Sequence, residues 1–453
     1  MATNNNYSSV SIERETSWVL DMEKKLARNN PAELSDEETQ WKKPSIFRLP
    51  DFVRMMMPDV FTPKVVAIGP YHHGKNHLQP IEFHKERALH HFLKRSLKSL
   101  EVYVREIKTV VKELQGSYVG LEEEWRDQDN FIKLMIVDGC FMLEVMRLDS
   151  EHCKHYAPSD PFFGLHALQH KIPYMRRDML ILENQLPILA FKKLVSVEKN
   201  VDENEAEREI TELVVKFFVP SIYEDKTGLK EFTQAIHGFH ALDIYRRSRL
   251  FMFSKSNQPL RSPRPPITDF ALMRSATRLH EAGITFQQSP STALTAIDFK
   301  PRCGILTLPC ITVDDTTQYE FLNMVALEHL HAGCGSEISS YLAFMDALVD
   351  SAEDVQLLHK NGLVNNGLGS DDDFARLFNS MSREVIVDQG GSLGSVQVSV
   401  EKYCRKRWNN WKANLVHTYF RNPWSCISVI AAAFVILLTI LSTVISIFQW
   451  KNV

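Results

Sequence analysis

Apolar residues recur at three- and four-residue spacing along most of the chain between residues 44 and 400. This spacing places them on one face of a helix, so it predicts α-helices joined by short connectors. The fold class expected from it is mainly α, with one irregular helical domain. The predicted helices are Glu82–Lys98, Val102–Gln115, Asp129–Arg147, Arg177–Leu194, Glu203–Phe218 and Tyr319–His331.

Patterns typical of strands are few. Lys64–Ile68 is rich in β-branched residues and is bounded by proline and glycine, so it predicts a short strand. Thr295–Phe299 and Gly304–Leu308 flank a four-residue loop and predict a small β-hairpin. Glu384–Asp388 is a further strand candidate. The Pro- and Ser-rich run Ser254–Pro266 predicts a linker or an exposed loop.

The C-terminal part of the chain is uncharged from Asn422 to Trp450. Within it, Ile427–Phe448 is 22 residues long. As a helix this stretch would extend roughly 33 Å, enough for a hydrocarbon core of about 30 Å. Tryptophans bracket the stretch, as is common at membrane interfaces. The pattern predicts a single transmembrane helix over residues 425–449.

Charge near this segment predicts an orientation. Six Lys and Arg residues and no Asp or Glu occupy residues 402–421, and positive residues stay on the cytoplasmic side. The N-terminus lacks the basic and apolar regions of a signal peptide. We therefore expect a single-pass protein of the plasma membrane or an endomembrane with its N-terminal domain cytosolic. The basic run is expected to contact the lipid bilayer.

Four segments follow from these patterns. They are a polar N-terminal arm over 1–43, a mostly helical domain over 44–400, a basic juxtamembrane segment over 401–424 and the transmembrane helix over 425–449.

Composition narrows the class of partner. The chain is 44% apolar and 24% charged, with a net charge of −4. A nucleic-acid partner would need a concentrated basic face, so none is expected. The seven cysteines are scattered without a Cys-x-x-Cys pair, so neither a zinc ribbon nor a disulfide framework is indicated.

Residues 69–76 nearly spell the phosphate-binding loop of nucleotide-binding proteins. Pro70 removes a backbone N–H that would hold phosphate, and Asn76 replaces the Ser or Thr that would bind magnesium. His73 and His77 have the spacing of zinc ligands on a helix, but no cysteine or carboxylate completes a standard set. We therefore expect no metal and no cofactor.

Two further patterns suggest catalysis only weakly. Gly390–Gly394 matches the nucleophile elbow of α/β-hydrolases, yet only Glu401 and His417 follow it as catalytic partners. The acidic run Asp371–Asp373 is better explained as the start of a helix, where carboxylates favour the helix dipole. We expect no enzymatic activity from these motifs.

The polar triplet Glu183, Asn184 and Gln185 lies between two apolar runs. Polar groups in such surroundings need hydrogen-bond partners, which favours a structural network, with a ligand site as the alternative. An enzyme of an undescribed type stays open as a second hypothesis. It requires His72, His73 and Glu183 to converge in a pocket.

Several strings along the chain carry a family resemblance. They are Ile46-Phe-Arg48-Leu-Pro50, Gly69-Pro70-Tyr71-His72, Val137-Asp138, Leu182-Glu183-Asn184-Gln185 and Glu281-Ala-Gly283. The chain resembles the plant-specific membrane proteins built on domain of unknown function 247, also called uncharacterised protein family 0481. The family residues of structural or binding interest are Arg48, Pro50, Gly69, Pro70, Tyr71, His72, Asp138, Glu183, Asn184, Gln185 and Gly283.

The resemblance implies a mostly helical domain with one C-terminal span and no known active site. Some grass members are implicated in pollen self/non-self recognition, so a self-incompatibility factor is one alternative function. Family membership alone does not transfer that role. Our first hypothesis is a non-enzymatic recognition or signalling component that presents loops such as Ser254–Pro266 to an unknown protein partner.

Overall fold

Amphipathic helices make up most of the described chain, as the apolar spacing predicts. The computed structural model describes residues 18–24, 44–148, 156–220, 226–251, 273–382, 393–405 and 423–451. Two short 3-10 helices are Asn76–Ile81 and Glu123–Arg126. The α-helices labelled here are α1 Asp51–Met56, α2 Pro58–Phe61, α3 Glu82–Ser96, α4 Leu100–Gly116, α5 Gln128–Met146, α6 Leu165–Met179, α7 Ile188–Lys199, α8 Glu203–Phe218, α9 Lys226–Ala235, α10 Ala241–Leu250, α11 Ala276–Glu281, α12 Thr317–Leu330, α13 Glu337–Leu348, α14 Ala352–Lys360, α15 Asp371–Ser382, α16 Gly394–Cys404 and α17 Pro423–Lys451.

Five of the six predicted helices are present, as α3, α4, α5, α8 and α12. The sixth, Arg177–Leu194, is wrong because the helix is interrupted. Helix α6 ends at Met179 and α7 begins at Ile188, with Pro187 as its N-terminal cap. A proline at that position cannot donate a hydrogen bond to the preceding turn, so one helix cannot run through it.

Two small sheets accompany the helices. The strands are β1 Thr285–Gln288, β2 Asp298–Lys300, β3 Ile305–Leu308, β4 Ile311–Val313 and β5 Val364–Asn366. In the first sheet, β3 pairs antiparallel with β2, which confirms the predicted hairpin, and parallel with β1. In the second sheet, β4 and β5 pair in parallel.

Helix α5 lies at the centre of the helical layer. Fourteen of its 19 residues are buried, because α3 and α4 pack on it and α7 covers a further side. A continuous apolar core extends from Ile46 to Cys404 and includes residues on both sides of residue 260. The interrupted helix α6–α7 and the N-terminal segment lie against this core.

Several predicted features lie outside the described residues. They are the loop Ser254–Pro266, the strand candidate Glu384–Asp388, residues 390–392 of the glycine-rich motif and most of the basic segment, residues 406–422.

The predicted transmembrane helix needs correction. Of the helices that the described residues form, none has both the length and the apolar character needed to cross a membrane. Helix α17 is present over Pro423–Lys451 and does not meet both conditions. On this finding, the C-terminal transmembrane helix and the single-pass anchored localisation are wrong, and the fold class is mainly helical with small sheets.

Leu97, which ends α3, supports a stability prediction. Its φ of 56° is left-handed, and its side chain is 89% exposed. Because glycine adopts this conformation without steric cost, we expect Leu97→Gly to raise the free energy of unfolding by about 0.5–1 kcal/mol. Urea denaturation measures the change. Leu97→Ala is the control and should bring no gain, since alanine keeps the strain; equal behaviour of the two variants would contradict the assignment.

Candidate functional site: a buried polar network

The backbone of residues 64–69 forms neither helix nor strand and is paired with side chains. The carboxylate of Asp178, near the end of α6, accepts the backbone N–H groups of Lys64, Val65 and Val66 at 2.9, 2.6 and 3.0 Å. Buried backbone donors require partners, and here a carboxylate replaces a neighbouring strand. The strand predicted for this stretch is therefore wrong.

Asn184 continues this pairing. Its Oδ1 accepts the backbone N–H of Ile68 at 2.6 Å. Its Nδ2 donates to the carbonyl oxygens of Val66 and Asp178, at 3.0 and 2.9 Å. The amide thus pairs with the backbone of residues 66–68 much as a neighbouring strand would, and it is completely buried.

Gln185 ties the helix interruption to a later part of the chain. Its Nε2 donates to the carbonyl oxygens of Met179 and Ile181, at 2.6 and 2.9 Å. Its Oε1 accepts the N–H of Leu242, in the first turn of α10, at 3.1 Å. Side-chain hydrogen bonds therefore satisfy backbone groups that a continuous helix would have paired.

Asp138 and Lys85 form a fully buried ion pair, with Nζ 2.7 Å from Oδ1. The other carboxylate oxygen accepts the N–H of Gly69 at 2.8 Å, while Lys85 donates to the carbonyl of Ala67 at 2.6 Å. Burial raises the pKa of Asp138, although Lys85 opposes the shift. Burial would lower the pKa of Lys85, but Asp138 and Glu82 raise it above its usual value. The pair anchors the end of this segment, at Ala67 and Gly69, on α5 and α3.

The turn that follows requires glycine. Gly69 has a φ of +71°, and a Cβ there would lie 2.9 Å from the carbonyl oxygen of Gln185. Beyond this turn, the hydroxyl of Tyr71 donates to the carbonyls of Ile46 and Val119, at 3.2 and 2.6 Å. The turn thus connects the network to the N-terminal segment of the described domain.

Glu183 holds that segment in place. Its Oε1 accepts the N–H of Leu49 at 2.6 Å and a guanidinium N–H of Arg54 at 2.5 Å. Its Oε2 lies 3.2 Å from Nε2 of His72, without the geometry of a hydrogen bond. Burial would raise the pKa of Glu183, but His72, the Leu49 N–H and Arg54 lower it below its usual value. Glu183 is therefore a buried carboxylate held in its charged form.

The proposed histidine and glutamate groups converge only in part. Nδ1 of His72 accepts from the ammonium of Lys75 at 2.7 Å, and burial lowers the pKa of His72. The ring of His73 instead packs edge-on against Trp125, with centroids 5.1 Å apart. In the described part of the chain, no hydrogen bond or ion pair joins His73 to Glu183. The structure brings together His72 and Glu183 but not the three groups.

Arg48 lies at the surface above this network. Its guanidinium is 2.7 Å from Glu122 and 5.0 Å from the ring centroid of Tyr71, and its side chain is 40% exposed. Of the other candidates, Pro50 caps α1 and Pro70 is buried. Gly283 belongs to a different part of the fold, the turn that ends α11, where its φ is +88°.

Several residues of the network were not singled out from the sequence. Lys85 had a signal, because it shares one face of α3 with the buried Ala88 and Phe92. Asp178 lies in the same string as Glu183 but carries no pattern of its own. Arg54 has no sequence signal, since its exposed helix would accept an arginine without any ion pair.

His240 was also missed, and its protonation state is determined by its neighbours. Its Nδ1 accepts the N–H of Asp243 at 3.3 Å. The proton is therefore on Nε2, which donates to the carbonyl of Ser45 at 3.0 Å. Burial lowers the pKa of His240 to about 4. A neutral histidine thus joins α10 to the first described residues of the domain.

Comparison with known proteins identifies the family. The family model described as "DUF247: Plant protein of unknown function" matches residues 46–438. The chain belongs to the DUF247 family. The DUF247 protein is 31% identical over 427 residues to UPF0481 protein At3g47200 of Arabidopsis thaliana, covering 90% of this chain and 87% of that relative. It is 23% identical to Putative UPF0481 protein At3g02645 of the same plant, covering 94% and 93%. No solved structure matches it.

Glu183→Gln tests the central carboxylate of this DUF247 protein. The substitution keeps the shape of the side chain but leaves Arg54 without its counter-charge. We expect a loss of about 2–4 kcal/mol in the free energy of unfolding, measured by urea denaturation. Glu123→Gln is the matched control, because it breaks an exposed pair with Arg126 and should cost less than about 0.5 kcal/mol. Similar small losses in both variants would refute the anchoring role.

His240→Gln tests the neutral histidine. The folded-state pKa of about 4 lies below the ordinary value, so the unfolded state binds the proton first as pH falls. Stability from this residue is therefore complete above pH ~6.5 and is lost towards pH ~4, by about 3 kcal/mol. Glutamine retains the donor to Ser45 but does not titrate. The stability difference between wild type and variant should change across that window; a constant difference would contradict the assignment.

Proposed function

We propose that this DUF247 protein is a non-enzymatic binding protein whose contact surface is the outer face of α1 together with Arg48. Phe52 and Met55 carry the proposal, because their side chains are 68% and 79% exposed. The two residues are three positions apart and so share one face of the helix. Large apolar side chains grouped at the surface are typical of interaction sites.

The opposite side of α1 supports this face. Arg54, two residues beyond Phe52, points to the buried Glu183, which also binds the N–H of Leu49. Glu183 thus fixes α1 at two points, just before the helix at Leu49 and within it at Arg54. A surface that is already ordered loses less conformational entropy when a partner binds.

The chemistry of the surface indicates its partner. Phenylalanine, methionine and arginine are enriched at the centres of protein interfaces. Arg48 stacks on Tyr71 and leaves part of its guanidinium exposed. We propose a protein partner with an apolar pocket for Phe52 and Met55 and an acceptor group for Arg48.

Burial of the network favours this function over catalysis. The side chains of His72 and Glu183 are each 2% exposed, so a substrate would have to displace α1 to reach them. The buried groups are better suited to supporting a surface than to reacting with a ligand.

Site-specific crosslinking tests the proposed surface. With the photoreactive residue p-benzoylphenylalanine in place of Phe52, the full chain should give a discrete covalent adduct with one plant protein. The same residue in place of Phe83 is the matched control, since Phe83 is 66% exposed on α3. Purified partner should then bind Phe52→Ser/Met55→Ser at least about tenfold more weakly than wild type. Phe83→Ser should bind like wild type.

Two results would reject the proposed surface. One is an adduct pattern that is the same from positions 52 and 83. The other is unchanged affinity of the purified partner for the Phe52→Ser/Met55→Ser variant, with the fold verified by circular dichroism.

A further inference from the structure

A groove separate from the α1 surface lies between α4, α7 and the start of α8. It has a volume of about 320 Å³, at the lower end of the range of ligand pockets, roughly 300–1,000 Å³, and is largely open to solvent. Half-buried Val102, Val197 and Val201 provide apolar lining, and Glu106 and Asp202 provide carboxylates. The groove therefore combines apolar contact area with negative charge.

The backbone beside this groove is unusual. Of the non-glycine residues that the structure describes, two have positive φ: Leu97 at 56° and Asn200 at 55°. Asn200 lines the groove, and Leu97 immediately precedes Lys98, which also lines it. Left-handed backbone is costly for a branched side chain such as leucine, and such strain is concentrated at functional sites. Asn200 therefore lies in the concavity itself, whereas Leu97 adjoins it only through Lys98.

Charges in the groove are unequally compensated. Lys193 is neutralised by Glu203, with Nζ 2.7 Å from Oε1. Asp202 uses Oδ1 to accept two N–H groups at the start of α8, and its Oδ2 has no hydrogen bond within the described chain. Glu106 is 3.8 Å from Arg105 of its own helix. Two carboxylates thus retain capacity to bind a cation.

A lysine at the edge of the groove provides a hydrogen-bond donor. Lys98, at the edge, can donate to a peptide carbonyl.

We propose that this groove binds a peptide segment of a partner protein in which an apolar side chain is followed by a basic one. The apolar side chain contacts the three valines, and the basic side chain reaches Glu106 and Asp202. An acidic segment is disfavoured, because it would meet the same two carboxylates. This binding site is independent of the α1 surface.

Three fluorescein-labelled pentapeptides test the proposal by fluorescence anisotropy with the full chain. We expect Gly-Gly-Leu-Arg-Gly to bind about tenfold more tightly than Gly-Gly-Leu-Glu-Gly and Gly-Gly-Ser-Arg-Gly. The first comparison tests the charge preference, and the second tests the apolar contact. Equal affinities for the three peptides, or no binding of the first, would overturn the proposal.

Variants then test whether the peptide binds in this groove. Glu106→Gln/Asp202→Asn removes both charges, while asparagine still caps α8 as aspartate does. We expect it to weaken the Leu-Arg peptide about tenfold. Glu124→Gln, an exposed carboxylate outside the groove, should leave affinity unchanged. Phe52→Ser/Met55→Ser should also leave it unchanged, which separates this site from the α1 surface; undiminished binding to the double charge variant would refute the assignment.

Discussion

Residues 64–69 impose the central constraint on this fold, because they enter the core at Val66–Gly69 without forming a helix or a strand. Their backbone donors would each be costly if buried unpaired. Asp178, Asn184 and Asp138 supply the acceptors, and all three are essentially unexposed. Asn184 lies in the interruption between α6 and α7 that Pro187 requires, and from there its amide reaches the segment.

Charge pairs complete the arrangement on both sides. Lys85 forms an ion pair with Asp138, and Arg54 forms an ion pair with Glu183. Removing one member of a buried pair leaves a charge in a poor solvent, so each pair is sensitive to single substitutions. Glu183 also binds Arg54 of α1. The buried polar network and the exposed apolar face of that helix are therefore directly connected. A substitution in the buried network would therefore also alter the position of α1 at the surface.

The spacing of apolar residues was sufficient to predict helices that pack one apolar face against the core. The helix predicted over Glu203–Phe218 has those ends, since one apolar face and a capping aspartate define it. The need of Asn184 and Gln185 for partners was also predictable from their apolar surroundings. Which partners they would find was not, because Asn184 bonds to Ile68 and Val66, more than 100 positions away, and Gln185 bonds to Leu242, 57 positions away. The same long-range bonds explain why Lys64–Ile68 was mistaken for a strand.

The hydrogen bonds of Asn184 also set an order of events during synthesis. Ile68 leaves the ribosome 116 residues before its acceptor does. At about 5–20 residues per second, the segment waits roughly 6–23 s for that side chain. His240, which binds the carbonyl of Ser45, emerges later still. Ser45 therefore reaches its native hydrogen bond only after residue 240 has been synthesised, and a nascent chain released before Asn184 lacks the acceptor for Ile68.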